Sequence, residues 1–162
     1  MIVRRLREDD LTELVEDVWH PFAREMAELD SYNALVPRYE ELTDEARSEA
    51  VAYRREQYQD DDHAIFLADW DGEIAGYAHV KDSETPKVFA RGAEANISEV
   101  YVAPDHRGNG IAGEQMDRAE KWADDRDYEY VTLSVNADNE TARQVYESRG
   151  YEPRRHKMDK RL

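Results

Sequence analysis

The stretch from Asn96 to Met116, NISEVYVAPDHRGNGIAGEQM, contains three features whose order decides the fold. Its first part, Ile97 to Val102, is short, β-branched and aromatic, which predicts a strand. Pro104 has no amide hydrogen and ends that strand. A glycine-rich turn follows and leads into a helical pattern that begins at Ile111. This order predicts an anion-binding site, because the first amides of a helix have no partner within it and its N-terminus is positive.

Two common phosphate-binding patterns are absent from this stretch. It contains neither Gly-x-x-x-x-Gly-Lys-Ser/Thr nor a Gly-x-Gly-x-x-Gly in an opening βαβ unit. What remains is Arg-x-x-Gly-x-Ala, formed by Arg107, Gly110 and Ala112. Directly after a strand that ends in Tyr-Val-x-Pro, this pattern resembles the acyl-CoA-binding signature of the GNAT superfamily of N-acetyltransferases.

A second stretch, residues 133–151, resembles the other signature of the same superfamily. After a predicted strand it contains Asn139, Ala142, Tyr146 and a closing Gly150-Tyr151. The first three fall on one side of a predicted helix, since steps of three and four residues stack. One helix and one strand separate the two signatures, as the superfamily requires. The resemblance in fold extends over nearly the whole chain, although the signatures themselves cover only residues 96–116 and 133–151.

The resemblance implies that the protein transfers an acyl group from acetyl-CoA to an amine through a tetrahedral intermediate. The pantetheine arm would pair with the backbone of residues 100–102, where two parallel strands splay apart. The amides of residues 108–113 would hold the pyrophosphate, and Asn139 and Ala142 would line the channel. No metal is implied. The implied CoA-binding residues are Val100, Tyr101, Val102, Arg107, Gly108, Asn109, Gly110, Ile111, Ala112, Gly113, Asn139, Ala142 and Tyr146.

Two residues are the candidate catalytic groups. Tyr146 is the candidate general acid for the CoA thiolate, because a phenol with a pKa of about 10 keeps its proton at neutral pH. Glu99 is the candidate general base, at a position where some superfamily members carry one. Strand alternation places Glu99 on the same face as Ile97 and Tyr101, and apolar neighbours are expected to raise its pKa. The alternatives are a core tyrosine with a satisfied hydroxyl and a glutamate that is paired with an arginine or faces solvent.

Other residues near the predicted site have open roles. Arg107 either attracts the pyrophosphate or caps the turn, and His79 lies on a strand from which it could face the acceptor cleft. Four tyrosines either pack or line the acceptor pocket that the resemblance places before the second strand. They are Tyr32, Tyr39, Tyr53 and Tyr58.

The rest of the chain predicts one α/β domain over residues 1–162, with a mixed, mostly antiparallel sheet flanked by helices. The expected order is strand, helices, three strands, helix, strand, helix, strand. Trp19-His20-Pro21 should interrupt the first helical stretch. A final extended segment is expected from Tyr151 to about Lys160, and the strands flanking the helix that begins at Ile111 should be parallel.

Two further helices have predicted caps. Thr43 should cap a helix that ends near Gln59 and whose inner face carries Ala46, Ala50 and Tyr53. Asp138 should cap the helix of the second signature, and Gly150 should end it.

The charge of the chain is strongly acidic, with 38 Asp and Glu against 22 Lys and Arg and a net charge of −16. Either a salt-adapted cytoplasmic protein or an acidic mesophilic one has this composition. A nucleic-acid partner is not expected, because the chain has no basic stripe. The absence of cysteine rules out disulfides and thiol catalysis. With no long apolar run and no signal peptide, we expect a cytoplasmic protein without a membrane partner.

Two functions fit these observations. The first is an acetyl-CoA-dependent N-acetyltransferase whose acceptor is a small-molecule amine, a protein N-terminus or a lysine. The acidic surface favours a cationic acceptor, although salt screens that attraction. The second is an acyl-CoA-binding sensor or regulatory module without turnover. The presence of Tyr146 favours the enzyme. The sequence leaves open whether the protein is a monomer or a homodimer.

Overall fold

The computed structural model describes all 162 residues of the chain. Five strands form one sheet whose spatial order follows the sequence, with every neighbouring pair antiparallel except the last, which is parallel. The strands are β1 (Ile2–Arg5), β2 (His63–Trp70), β3 (Glu73–Asp82), β4 (Glu94–Val102) and β5 (Tyr130–Leu133). The predicted mixed sheet and its parallel pair are therefore confirmed.

Helices cover both faces of this sheet. None of them combines the length and the apolar composition that a membrane-spanning helix requires. They are α1 (Leu11–Glu13), a π-helical segment (Leu14–Trp19), α2 (His20–Leu29), α3 (Pro37–Glu40), α4 (Asp44–Gln59), α5 (Ile111–Asp124) and α6 (Glu140–Ser148).

Two apolar clusters, one on each face of the sheet, form the core. Helical spacing of three to four residues gives α5 and the first helical stretch one apolar stripe each. The α5 face contains Phe66, Val80, Ile97, Ile111, Met116, Ala119 and Trp122. The opposite face contains Leu11, Leu14, Val18, Ile65, Leu67, Tyr77 and Tyr101.

The first helical stretch is continuous, so the predicted interruption at Trp19-His20-Pro21 is wrong. Within an α-helix, Pro21 would remove one hydrogen bond and its ring would meet a carbonyl of the preceding turn. A π-helical segment lies directly before the proline, and the amide of His20 donates to the carbonyl of Val15, five residues earlier. The wider turn lets the helix continue past Pro21 to Leu29.

Both ends of the second signature differ in detail from the prediction. Asn139, not Asp138, caps α6, because its side-chain oxygen accepts the amide of Ala142 at 3.1 Å. Gly150 has a φ of +93° directly after the helix end, as expected of a helix stop. Residues 151–162 form no strand, so the sheet has five strands and not six. Pro153 cannot donate to a ladder, and the charged residues after it offer no apolar face to bury.

A β-bulge in β4 changes which side chains share a face. The register with β3 makes Ser98 an extra residue between Ile97 and Glu99. Alternation therefore restarts after the bulge: Ile97 packs on the α5 face, whereas Glu99 and Tyr101 lie on the opposite face. The prediction that all three share one face is wrong for Ile97.

An ion pair joins α4 to β4 across the interface between helix and sheet. Nη1 and Nη2 of Arg54 donate to the two carboxylate oxygens of Glu99 at 2.8 and 2.7 Å, and the Arg54 side chain is only 3% exposed. Nη1 also donates to Gln57, and the hydroxyl of Tyr77 donates to Glu99. Ala46 and Ala50 are buried as predicted, but Tyr53 is exposed, and Arg54 and Gln57 complete the buried face of α4.

Removing one partner of this pair should cost much more stability than removing both. We expect Glu99→Gln or Arg54→Met alone to lower the free energy of unfolding by roughly 3–5 kcal/mol, because each leaves a buried polar or charged group without its partner. The double variant should lose clearly less than the sum of the two single losses. Urea denaturation of all four proteins measures this coupling.

The exposed pair Lys121–Asp125 provides the control. Lys121→Ala should cost at most about 1 kcal/mol. Additive losses at Arg54 and Glu99 would show that the buried pair is not energetically coupled.

Candidate active site

The sheet opens at the edge of β4. The parallel pairing with β5 runs from Glu94 opposite Tyr130 to Ile97 opposite Leu133 and ends there. Ser98 is the unpaired bulge residue, and from residue 99 to residue 102 β4 pairs only with β3. The backbone of Val100 and Val102 therefore borders an opening between β4 and β5, as expected for a splayed parallel pair.

The turn after β4 is a nest of unpaired amides. Gly108 and Gly110 have φ values of +82° and +76°, a left-handed conformation that a side chain would oppose. The first backbone bond of α5 runs from the amide of Glu114 to the carbonyl of Gly110 at 3.2 Å. All six amides from residue 108 to residue 113 donate to no acceptor in the protein. Six consecutive free donors at the positive end of a 14-residue helix suit an anion such as a pyrophosphate.

Arg107 fixes this turn rather than offering a free charge. Its Nε donates to the carbonyl of Val102 at 2.9 Å, and its Nη2 donates to the carboxylate of Glu25 at 2.8 and 3.0 Å. The side chain therefore connects the end of β4 to α2. Of the two roles predicted for Arg107, its contacts favour the structural one.

Tyr146 lies on α6 and packs, half-buried, against the α5-face cluster to which Val100 and Val102 also contribute. Its ring meets that of Tyr151 edge to face at 6.1 Å. Burial raises the pKa of the Tyr146 phenol above its usual value, so the group keeps its proton throughout the neutral range. Asn139 and Ala142 occupy the first turn of the same helix, where the side chain of Asn139 is used as the cap.

The raised pKa expected for Glu99 is wrong. Burial does raise the pKa of this carboxyl, but the charge of Arg54 and hydrogen bonds from His79, Arg54 and Tyr77 outweigh it and hold the pKa far below the usual range. Glu99 is therefore ionised at neutral pH and binds a proton weakly. Its predicted role as general base stays a prediction, without the physical argument that supported it.

A second polar link runs from Glu99 toward the start of β2. His79 is 2% exposed, and its Nδ1 lies 2.7 Å from the hydroxyl oxygen of Ser98 and 3.5 Å from Oε1 of Glu99. Its Nε2 lies 2.9 Å from Nδ1 of His63. Burial lowers the pKa of His79, and this outweighs the opposing influence of Glu99, so the ring is neutral at neutral pH. Sequence reasoning singled out His79 but missed its partners Ser98 and His63.

An apolar cavity of about 310 Å³ opens between the first helical stretch, the loop before α3, and α4. Tyr39 and Tyr53 line it, whereas Tyr32 and Tyr58 do not. Arg54 is its one charged lining residue and connects the cavity to Glu99. The lining residues are Trp19, Ala34, Leu35, Val36, Tyr39, Ala50, Tyr53 and Arg54.

Arg54 itself was missed from the sequence, although a signal for it exists. Ala46, Ala50, Arg54 and Gln57 follow one another at helical spacing and are the buried residues of α4. A charged residue on an otherwise inward-facing stripe indicates a buried partner.

Comparison with known proteins gives a consistent result. Residues 24–151 match the model of the acetyltransferase (GNAT) family. An uncharacterized N-acetyltransferase of Archaeoglobus fulgidus is 27% identical over 148 residues, which is 91% of this chain and 90% of the relative.

Solved structures share the fold over the whole chain. A tetramutant of the BH1408 protein from Bacillus halodurans superposes with a TM-score of 0.78 at 17% identity and covers 100% of both chains. AAC(6')-Iy, in complex with a bisubstrate analogue that contains CoA, gives a TM-score of 0.72 at 18% identity over 99% of this chain and 97% of its own. With the family model matching most of its length, this chain belongs to the acetyltransferase (GNAT) family.

Proposed function

We propose that this protein transfers an acetyl group from acetyl-CoA to an amine that is carried on an apolar group. The observation that carries the proposal is the run of six unpaired amides from residue 108 to residue 113, which suits the pyrophosphate of CoA. Residues 98–102 of β4 border an opening that begins next to that turn, and a pantetheine arm would extend along this edge.

Catalysis by direct transfer needs one proton donor and one proton acceptor. The amine nitrogen attacks the thioester carbonyl and loses a proton that passes to solvent, the C–S bond breaks, and the thiolate takes the phenolic proton of Tyr146, which a proton from solvent later replaces. The raised pKa of Tyr146 supports this role, because the phenol is still protonated when the thiolate forms. Glu99 acts in this proposal as the fixed anion that holds Arg54, since a carboxylate with so low a pKa is a weak acceptor of the amine proton.

The proposed general acid and the apolar cavity lie on opposite faces of the sheet. Tyr146 packs on the α5 face, whereas Glu99 and the cavity residue Arg54 lie on the other face. The gap where β4 and β5 part connects the two faces, and in this proposal the thioester and the amine meet there.

The cavity supports an apolar acceptor. Seven of its eight lining residues are hydrophobic, three of these are aromatic, and the one charge present is the cation of Arg54. A polycationic acceptor would find no carboxylate in this lining, and Glu99 behind it is already paired with Arg54, whereas an arylalkyl or branched alkyl amine would bury apolar surface. The apolar lining of the cavity therefore favours an apolar amine over the cationic acceptor that the acidic surface favours.

The experiment that tests the proposal is release of CoA thiol from acetyl-CoA, measured across a panel of amines at low and at high KCl. Phenylethylamine and isoamylamine should give higher kcat/KM values than spermidine or free lysine. Tyr146→Phe should lower kcat by roughly 10²–10⁴ because the thiolate loses its proton donor. CoA affinity, measured by calorimetry, should not change by more than a small factor.

Tyr128→Phe is the matched control. Tyr128 is a half-buried phenol bonded to Asp82 and stacked on Trp122, away from the opening. It should leave kcat unaltered. If the protein binds CoA but releases no thiol with any amine, it is a non-catalytic acyl-CoA-binding module and the enzymatic proposal is wrong.

A further inference from the structure

We propose that Ser98, His79 and His63 form a path that conducts the proton of the acceptor amine from the opening between β4 and β5 to solvent near the C-terminal end of α4. The path rests on the proposed function, because it serves the step in which the attacking amine loses a proton. It is built from three side chains on three adjacent strands, joined by two short contacts.

The inner end of the path is the hydroxyl of Ser98. Ser98 is the bulge residue of β4, directly after the last pair with β5, and it is exposed at the point where the two strands part. Its oxygen lies 2.7 Å from Nδ1 of His79 and 3.3 Å from the carbonyl oxygen of His79. The hydroxyl can donate to the carbonyl while Nδ1 carries a proton, and to Nδ1 while it does not. Both tautomers of His79 are therefore hydrogen-bonded.

The middle of the path passes between two imidazole rings. Nε2 of His79 lies 2.9 Å from Nδ1 of His63, and the ring planes are 12° apart with centroids at 5.1 Å. Hydrogen-bonded imidazoles can pass a proton from one ring to the next, since each ring accepts at one nitrogen and donates at the other.

The outer end of the path reaches water. The side chain of His63 is 22% exposed, and its Nε2 lies 3.7 Å from a carboxylate oxygen of Asp60, whose side chain is half-exposed. Asp60 follows directly after α4, in a turn that consists of three aspartates. Their negative charge favours a proton that arrives at this end.

The electrostatics around His79 suit conduction rather than storage of a proton. Glu99 from β4, Arg54 from α4 and His63 from β2 are the charged and titratable groups that act on it. Burial lowers the pKa of His79, so the ring stays neutral at rest and does not retain the proton. Glu99, 3.5 Å from Nδ1, stabilises the transient imidazolium.

The number of protons that enter the path equals the number that leave it. The ammonium proton passes to Ser98, the Ser98 hydroxyl proton to Nδ1 of His79, the Nε2 proton of His79 to Nδ1 of His63, and the Nε2 proton of His63 to solvent. One proton enters, one leaves, and nothing is oxidised. A proton that later enters at His63 and leaves at Ser98 restores both tautomers and replaces the proton that Tyr146 gave to the thiolate.

The kinetic test removes the exposed end of the path. At low buffer concentration and with the best amine of the panel, His63→Ala should lower kcat by roughly tenfold or more, with KM for acetyl-CoA unchanged. Added imidazole should restore kcat in His63→Ala and leave the unsubstituted enzyme unaffected, because a free imidazole can accept the proton from His79. His156→Ala, at an exposed histidine of the C-terminal segment, is the control and should behave like the unsubstituted enzyme.

A kcat of His63→Ala within twofold of the unsubstituted enzyme would overturn the path. So would a loss that imidazole does not restore in a variant whose circular dichroism spectrum is native.

A second measurement needs neither a variant nor turnover. In ¹⁵N NMR of the ring nitrogens, a scalar coupling across the hydrogen bond should join Nε2 of His79 to Nδ1 of His63, because the two nitrogens lie 2.9 Å apart. The absence of this coupling would overturn the path. An absence of thiol release with every amine would instead contradict the proposed function, while the ring coupling would still decide whether the path exists.

Discussion

Two adjacent sets of backbone hydrogen-bonding groups stay without a partner in this protein, although most such groups in a folded chain are paired. One is the edge of β4 beyond Ile97, where β5 no longer pairs with it. The other is the run of six amides at the start of α5. The two sets are joined by the turn that Arg107 ties to the end of β4. A single elongated ligand with an anionic end would satisfy both sets at once, as in the proposed binding of acetyl-CoA.

The bulge at Ser98 has two consequences for this site. It falls at the position where β4 and β5 part, and it turns Glu99 toward α4 rather than toward α5. Glu99 then pairs with Arg54, which also lines the apolar cavity. One extra residue in a strand thus connects the opening, the buried charges and the apolar cavity.

The glycine-rich turn and the cap of α4 could be predicted from the sequence because local chemistry specifies them. Gly110 permits a left-handed turn, and Thr43 caps α4 through its own side chain. The bulge at Ser98 and the pair between Arg54 and Glu99 could not be predicted in this way. The first depends on register between strands, and the second joins residues 45 positions apart.

Pro21 and Glu99 show how such local reasoning fails. A proline usually ends a helix, but a π turn formed by the preceding residues removes the conflict. A carboxylate among apolar neighbours usually has a raised pKa, but a buried guanidinium reverses the direction. The π turn before Pro21 and the guanidinium beside Glu99 are features of the folded structure that the local sequence does not reveal.

The proposal depends on binding of a pyrophosphate by the amides of residues 108–113. Calorimetric titration with CoA, 3′-dephospho-CoA and pantetheine in KCl measures this binding. CoA and 3′-dephospho-CoA, which both retain the pyrophosphate, should bind within about tenfold of each other. Pantetheine, which lacks it, should bind at least ~100-fold more weakly, a difference of about 2.8 kcal/mol. Equal affinity for pantetheine and CoA would show that these amides do not hold a pyrophosphate.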